Sequence, residues 1–201
     1  MSYSVIALMI SLILIAIAVT VQESFVERFY TWPTEVDKGL LDTITVNVAS
    51  YLSRVKDLEM AKVFLLKNLK VTERYNRGFR VLNYSIINMT VYSSQNIALV
   101  NVTIVYNLLW GCYCSSALLL VKVLNITEFS DPLTGEVFYK AIIICSTDRG
   151  KPKFVKGYPT SVTVNYLYNN IWVLTYPTSL KLAIIEDWRG IRVELKTESS
   201  G

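Results

Sequence analysis

The sequence predicts an α+β fold in which a hydrophobic helix and an amphipathic helix precede an antiparallel β-sandwich or barrel. Three observations predict it. Residues Val5 to Val21 form an apolar run broken only by Ser11 and Thr20. From Leu41 to Leu69, apolar residues recur at spacings of three and four, the period of one helix face. From Phe79 onward, alternating segments are separated by turn-forming residues, the pattern of antiparallel strands. The chain thus reads as three parts: an apolar helix over 1–30, a connector with the amphipathic helix over 31–78, and an extracytoplasmic β-rich domain over 79–201.

The first element is long enough to cross a membrane. A helix rises about 1.5 Å per residue, so Val5–Val21 spans roughly 25 Å. Extended through Tyr3 and Phe25, it reaches the roughly 30 Å of a bilayer core. The residues expected to meet lipid or a neighbouring helix are Val5, Ile6, Leu8, Ile10, Leu12, Ile13, Leu14, Ile15, Ile17 and Val19. No Lys or Arg precedes the run, and Glu23, Glu27, Arg28, Glu35, Asp37 and Lys38 follow it. This bias holds the N-terminus inside and exports the body. Trp32-Pro33 stops the helix, because a residue before proline is pushed toward extended conformations.

The second helix is expected over Thr34 to Leu69. Thr34 and Asp37 have the spacing of a capping box. Leu41, Ile44, Val48, Leu52, Val55, Leu58, Ala61, Leu65 and Leu69 form its apolar stripe. Gly39 weakens its start, and Thr43 to Val48 alternates as a strand would. Between Arg54 and Arg80 eight basic residues accompany three acidic ones, which reads as a solvated helix face.

Strands are expected near 79–92, 96–108, 117–127, 136–146, 160–176 and 180–196, the last two subdivided. Ser93-Ser94, Asp131-Pro132, Asp148-Arg-Gly150, Tyr158-Pro159, Asn169-Asn170 and Tyr176-Pro177 punctuate them. Asp187-Trp-Arg-Gly190 is a hairpin loop, after which Ile191, Val193 and Leu195 alternate with charged residues. In 96–108 the parity places Ala98, Val100, Val102, Ile104 and Tyr106 on one face and Asn101 and Thr103 on the other. In 79–92 the parity breaks: Leu82, Tyr84 and Ile86 oppose Ile87, Met89 and Val91. One extra residue at Ile86-Ile87, a bulge, turns both apolar sets inward and leaves Asn83 and Asn88 outward.

The chemistry is defined mainly by what is missing. There is no histidine, which removes the commonest general base and the commonest metal ligand. No pattern pairs a nucleophile with a base, and Gly150 and Gly157 match neither a dinucleotide fingerprint nor a P-loop. The net charge of +4 is too small to imply nucleic acid. No catalytic residue, metal site, cofactor or small-molecule substrate is therefore assigned, and the protein is expected not to be an enzyme.

Two residue sets remain. Asn83, Asn88, Asn101 and Asn125 each head an N-x-[ST] triplet without proline, the acceptor of N-glycosylation in exported proteins. Plain polar positions on the outward side of strands are the other reading, and Asn125 falls at the end of its strand. The cysteines are Cys112, Cys114 and Cys145. A bridge between the first two would close a strained loop. One of them pairing with Cys145 suits an extracytoplasmic domain, and three buried, inert thiols is the other reading.

Ser2-Tyr-Ser-Val-Ile-Ala7, Leu12-Ile-Leu-Ile-Ala-Ile-Ala-Val19 and Phe29-Tyr-Thr-Trp32 together resemble the N-terminal segment of archaeal type IV pilins and archaellins. The resemblance covers about thirty residues. No Lys/Arg-Gly cleavage site precedes the helix, so the chain is either mature or outside that pathway. The resemblance implies a helix that first anchors the chain and then packs with its copies into a filament core, beneath glycosylated immunoglobulin-like heads. The expected function is accordingly a structural subunit of an extracellular pilus-like filament, a homo-oligomer held through its N-terminal helix. The alternative is a single-pass, membrane-anchored surface glycoprotein with an adhesive or complex-forming β-sandwich.

Overall fold

The computed structural model describes residues 35–76 and 78–197. The expected membrane or assembly helix, with Val5 to Val19, lies outside the described residues. The chain divides into two compact units at Gly39 and Leu40. From Leu40 on, helices and strands contribute to one hydrophobic core, so the helical residues are not a separate connector.

Two helices replace the single expected one. Helix α1 covers 35–55 and α2 covers Leu58–Tyr75. Lys56 adopts a left-handed φ of 57°, which few non-glycine residues take. Asp57 then caps α2, its Oδ1 accepting from the amides of Glu59 and Met60 at 2.9 and 3.1 Å. The apolar period runs through this break, which hides it in the sequence. The strand-like stretch 43–48 is helical. Leu41, Ile44, Val48, Leu52, Ala61, Leu65 and Leu69 are buried, whereas Val55 and Leu58, beside the break, are exposed. Tyr51 and Phe64 stack between the helices, ring centroids 4.2 Å apart.

The strands are β1 (Val81–Ser93), β2 (Ile97–Leu108), β3 (Gly111–Ser130), β4 (Val137–Thr147), β5 (Val155–Tyr158), β6 (Thr163–Tyr168), β7 (Ile171–Pro177), β8 (Leu182–Asp187) and β9 (Arg192–Lys196). Six form an antiparallel sheet in the order β1-β2-β3-β4-β7-β6, and three form a second sheet, β5-β8-β9. The arrangement is α+β and sandwich-like. Its first four strands run as a meander, unlike the interleaved order of an immunoglobulin domain.

The long sheet has a buried inner face and a half-exposed outer one. Along β2 every even position from Ala98 to Leu108 is buried. The bulge expected at Ile86-Ile87 is present: Ile86 pairs with Ile104 and Asn88 with Thr103, leaving Ile87 unpaired. A second shift, between Val81 and Asn83, leaves Leu82 unpaired and exposed instead of inward with Tyr84 and Ile86. Strand β9 lies against β1, β2 and β3, burying Val193 and Leu195. Helix α1 is tied to the same side. Thr45 Oγ1 lies 3.0 Å from the Tyr106 hydroxyl, and Ser50 Oγ donates to the Gly190 carbonyl at 2.8 Å. Gly157 brings β5 close to the next strand, since a Cβ there would meet Val162 Cγ1 at 2.6 Å.

Candidate functional site

The outer face of the long sheet gathers six of the seven candidate residues that lie among the described residues, Cys145 being the exception. Pairing fixes the face of each side chain, because neighbours in register point the same way. Asn83 opposes Asn107, Asn88 opposes Thr103, and Thr90 opposes Asn101. All of these are odd-parity partners of β2 and therefore face outward. Asn125 opposes Ile142, the outward neighbour of inward Ala141 and Ile143. All four sequon asparagines thus share one face of one sheet.

Asn125 is not at a strand end. Strand β3 begins at Gly111 and continues to Ser130, with a register shift between Val123 and Asn125. That bulge reverses the parity and turns Asn125 outward, much as the one at Ile87 turns Asn88 outward. Asn83 and Asn125 are exposed, while Asn88 and Asn101 are half-buried. Within two triplets the hydroxyl turns to its own asparagine. Thr90 Oγ1 donates to Asn88 Oδ1 at 2.6 Å, and Thr103 Oγ1 to Asn101 Oδ1 at 3.4 Å.

The cysteines separate. Cys112 and Cys114 fall inside β3, opposite Asn107 and Val105, on the outer face and exposed. Cys112 Sγ donates to Asn107 Oδ1 at 2.9 Å. Cys145 opposes Val121 on the inner face and is buried, and desolvation pushes its thiol up to about 12. All three thiols are free. Cys145 lies seven residues along β3 from the level of Cys114, roughly 23 Å at strand rise. The expected bridge from Cys112 or Cys114 to Cys145 is therefore excluded by face and by distance.

Beside the sequons the outer face turns apolar: Leu99, Leu118, Leu120, Ile142, Ile144 and Val173 stand half-exposed on it. At one end an ion network closes the sheet. Arg189 donates to Asp187 Oδ2 at 2.8 Å, to Asp148 Oδ1 at 2.5 Å and to the Leu118 carbonyl at 2.6 Å. Asp148 Oδ1 in turn accepts from the Leu118 amide at 2.9 Å. Strand β4 begins its pairing one residue further on, at Leu119, so these two side chains satisfy backbone groups that β4 does not reach. Asp42 of α1 adds Tyr113, Ser115 and Arg149 to the same region at 2.7–3.0 Å.

Sequence reasoning missed this network because its members lie far apart along the chain. The basic excess on α2 is solvent-facing: Lys67, Lys70 and Arg74 alternate with exposed Val63, Leu66 and Val71. Among the described residues, no group of three His, Cys, Asp or Glu side chains could hold a metal, and no helix is long and apolar enough to cross a membrane. No protein-family model, no curated protein and no solved structure matches this chain, so its function is read from its own residues.

Proposed function

We propose that the protein is a membrane-tethered structural protein of the cell exterior, held by residues 5–21 and presenting a glycosylated sheet face. The observation that carries this reading is the common direction of Asn83, Asn88, Asn101 and Asn125 on the outer face. Sugars attached there leave the core undisturbed. The opening apolar run supports the tether, since burying it away from water gains roughly 25 cal/mol for each Å².

The filament subunit is the second reading, favoured by the same run followed by Phe29-Tyr-Thr-Trp32. In it the helices pack on copies of themselves through side-chain contacts. Intact-mass and N-terminal analysis of the full chain extracted from membranes tests the first reading. The expected result is a chain that needs detergent for release and carries sugar on at least one of the four asparagines. A chain released by buffer alone with no added mass overturns it. Electron microscopy of producing cells decides the second: filaments built of this subunit support it, and bare cells with detergent-extracted monomer retire it.

A further inference from the structure

The outer face also carries two thiols that the fold leaves without a disulfide partner inside the chain. Cys112 and Cys114 stand two residues apart on β3. Extended strand geometry sets their Cβ atoms about 6.7 Å apart, well beyond the roughly 3.5–4.5 Å that a disulfide spans. Cys145 points to the opposite face. Both outer thiols are nevertheless exposed, and an exterior compartment oxidises such pairs.

Their surroundings fit a second copy of the same surface. They sit at the end of the β2–β3 hairpin, whose pairing closes at Leu108 and Gly111. Leu109 in that loop is 76% exposed, and Val105 stands beside Cys114, so an apolar margin flanks the thiols. Asn83 lies in the same row as Cys112, two strands away through Asn107. That is about 10 Å, so the contact takes Asn83 without its sugar, while Asn88, Asn101 and Asn125 stand further along the strands. A twofold axis lying between two such faces and across their strands sets Cys112 of each copy opposite Cys114 of the other. No thiol is left over.

We infer that Cys112 and Cys114 join two copies of this chain through intermolecular disulfides, Cys112 of one copy to Cys114 of the other. The oxidant is a disulfide-bearing carrier of the exterior. The thiolate of Cys114 attacks that disulfide, forming a mixed disulfide and releasing one carrier thiol. The thiolate of Cys112 from the second copy then attacks the Cys114 sulfur and releases the other. Each bridge thus takes two protein thiols and one carrier disulfide, and returns one protein disulfide and two carrier thiols. The inference rests on the exterior placement proposed above.

The test uses the full chain from membranes, its free thiols blocked with N-ethylmaleimide at lysis. Non-reducing electrophoresis is expected to show a dimer that reductant converts to monomer, with a Cys112–Cys114 cross-linked peptide in the digest. Cys112→Ser alone is expected to abolish the dimer, since it removes both bridges, and Cys145→Ser to leave it. A monomer with both outer thiols already blocked overturns the inference. So does a mixed disulfide with a small thiol, a bridge to a different protein, or a dimer that persists in Cys112→Ser. Sugar occupancy and detergent dependence are read on the same sample. A glycosylated, membrane-held monomer overturns the cross-link alone, whereas an unmodified, buffer-soluble chain overturns the placement beneath it.

Discussion

Thr45 and Tyr106 show how a buried polar pair is satisfied. The Thr45 hydroxyl donates its only proton to the Leu41 carbonyl at 2.9 Å. It therefore accepts from the Tyr106 phenol, 3.0 Å away. Both residues are fully buried, and desolvation raises the phenol pKa above its ordinary value. Removing the acceptor strands a buried donor, so Thr45→Val is expected to cost about 1–3 kcal/mol. Tyr106→Phe leaves only a spare lone pair on Thr45 and should cost about 1 kcal/mol. Urea denaturation of the full chain in detergent measures both, and the reverse ranking contradicts the assigned direction. Parity alone turned Tyr106 inward. Its partner was not legible, because Thr43 to Val48 alternates like a strand and Thr45 meets Tyr106 only after 61 residues.

At the scale of elements, the broken parity of β1 was the most readable signal. A bulge at Ile87 reconciles Tyr84 and Ile86 with Met89 and Val91, and the register contains it. Deleting Ile87 should therefore give a regular ladder from Asn83 to Ser93 with every remaining side chain on its present face, changing stability by about 1 kcal/mol or less. Inserting an alanine after Asn101 in central β2 should be far worse. It turns Val102 and Ile104 out of the core at about 1.5–3 kcal/mol apiece. Thermal melts of the two variants check the contrast; similar losses would mean that the bulge is not the slack point.

Other elements were less legible for physical reasons. The break at Lys56-Asp57 escaped because Leu52, Val55, Leu58 and Ala61 keep a helical spacing across it. Asp57 followed by Glu59 was the available sign, an acceptor and an acidic first turn at a helix start. Strand β5 has only four residues, Val155–Tyr158, too few for an alternation to stand out.

For the molecule as a whole, Arg189 is the clamp between the two sheets. Its side chain is 7% exposed and that of Asp187 fully buried. It reaches from the β8–β9 loop to Asp148 and to β3. Arg189→Met leaves Asp187 and Asp148 without this cation and the Leu118 carbonyl without its donor. The expected loss is about 3–5 kcal/mol, measured by chemical denaturation. Because the pair with Asp187 is out of solvent, raising salt to molar levels should reproduce little of that loss. The sequence showed the hairpin Asp187-Trp-Arg-Gly190 but not its clamp, since Asp148 joins it from 41 residues away. The sandwich-like class was legible because alternation and turns are local. Which side chains close its ends depends on long-range pairing.

The strands at the two margins of the long sheet, β1 and β6, both depart from regular register, at Val81/Asn83 and Ile86/Asn88 in the first and at Tyr166/Tyr168 in the second. Uneven rims present a poor template to an incoming β-segment. The long sheet is thereby guarded at both margins against runaway fibrillation by edge-to-edge growth.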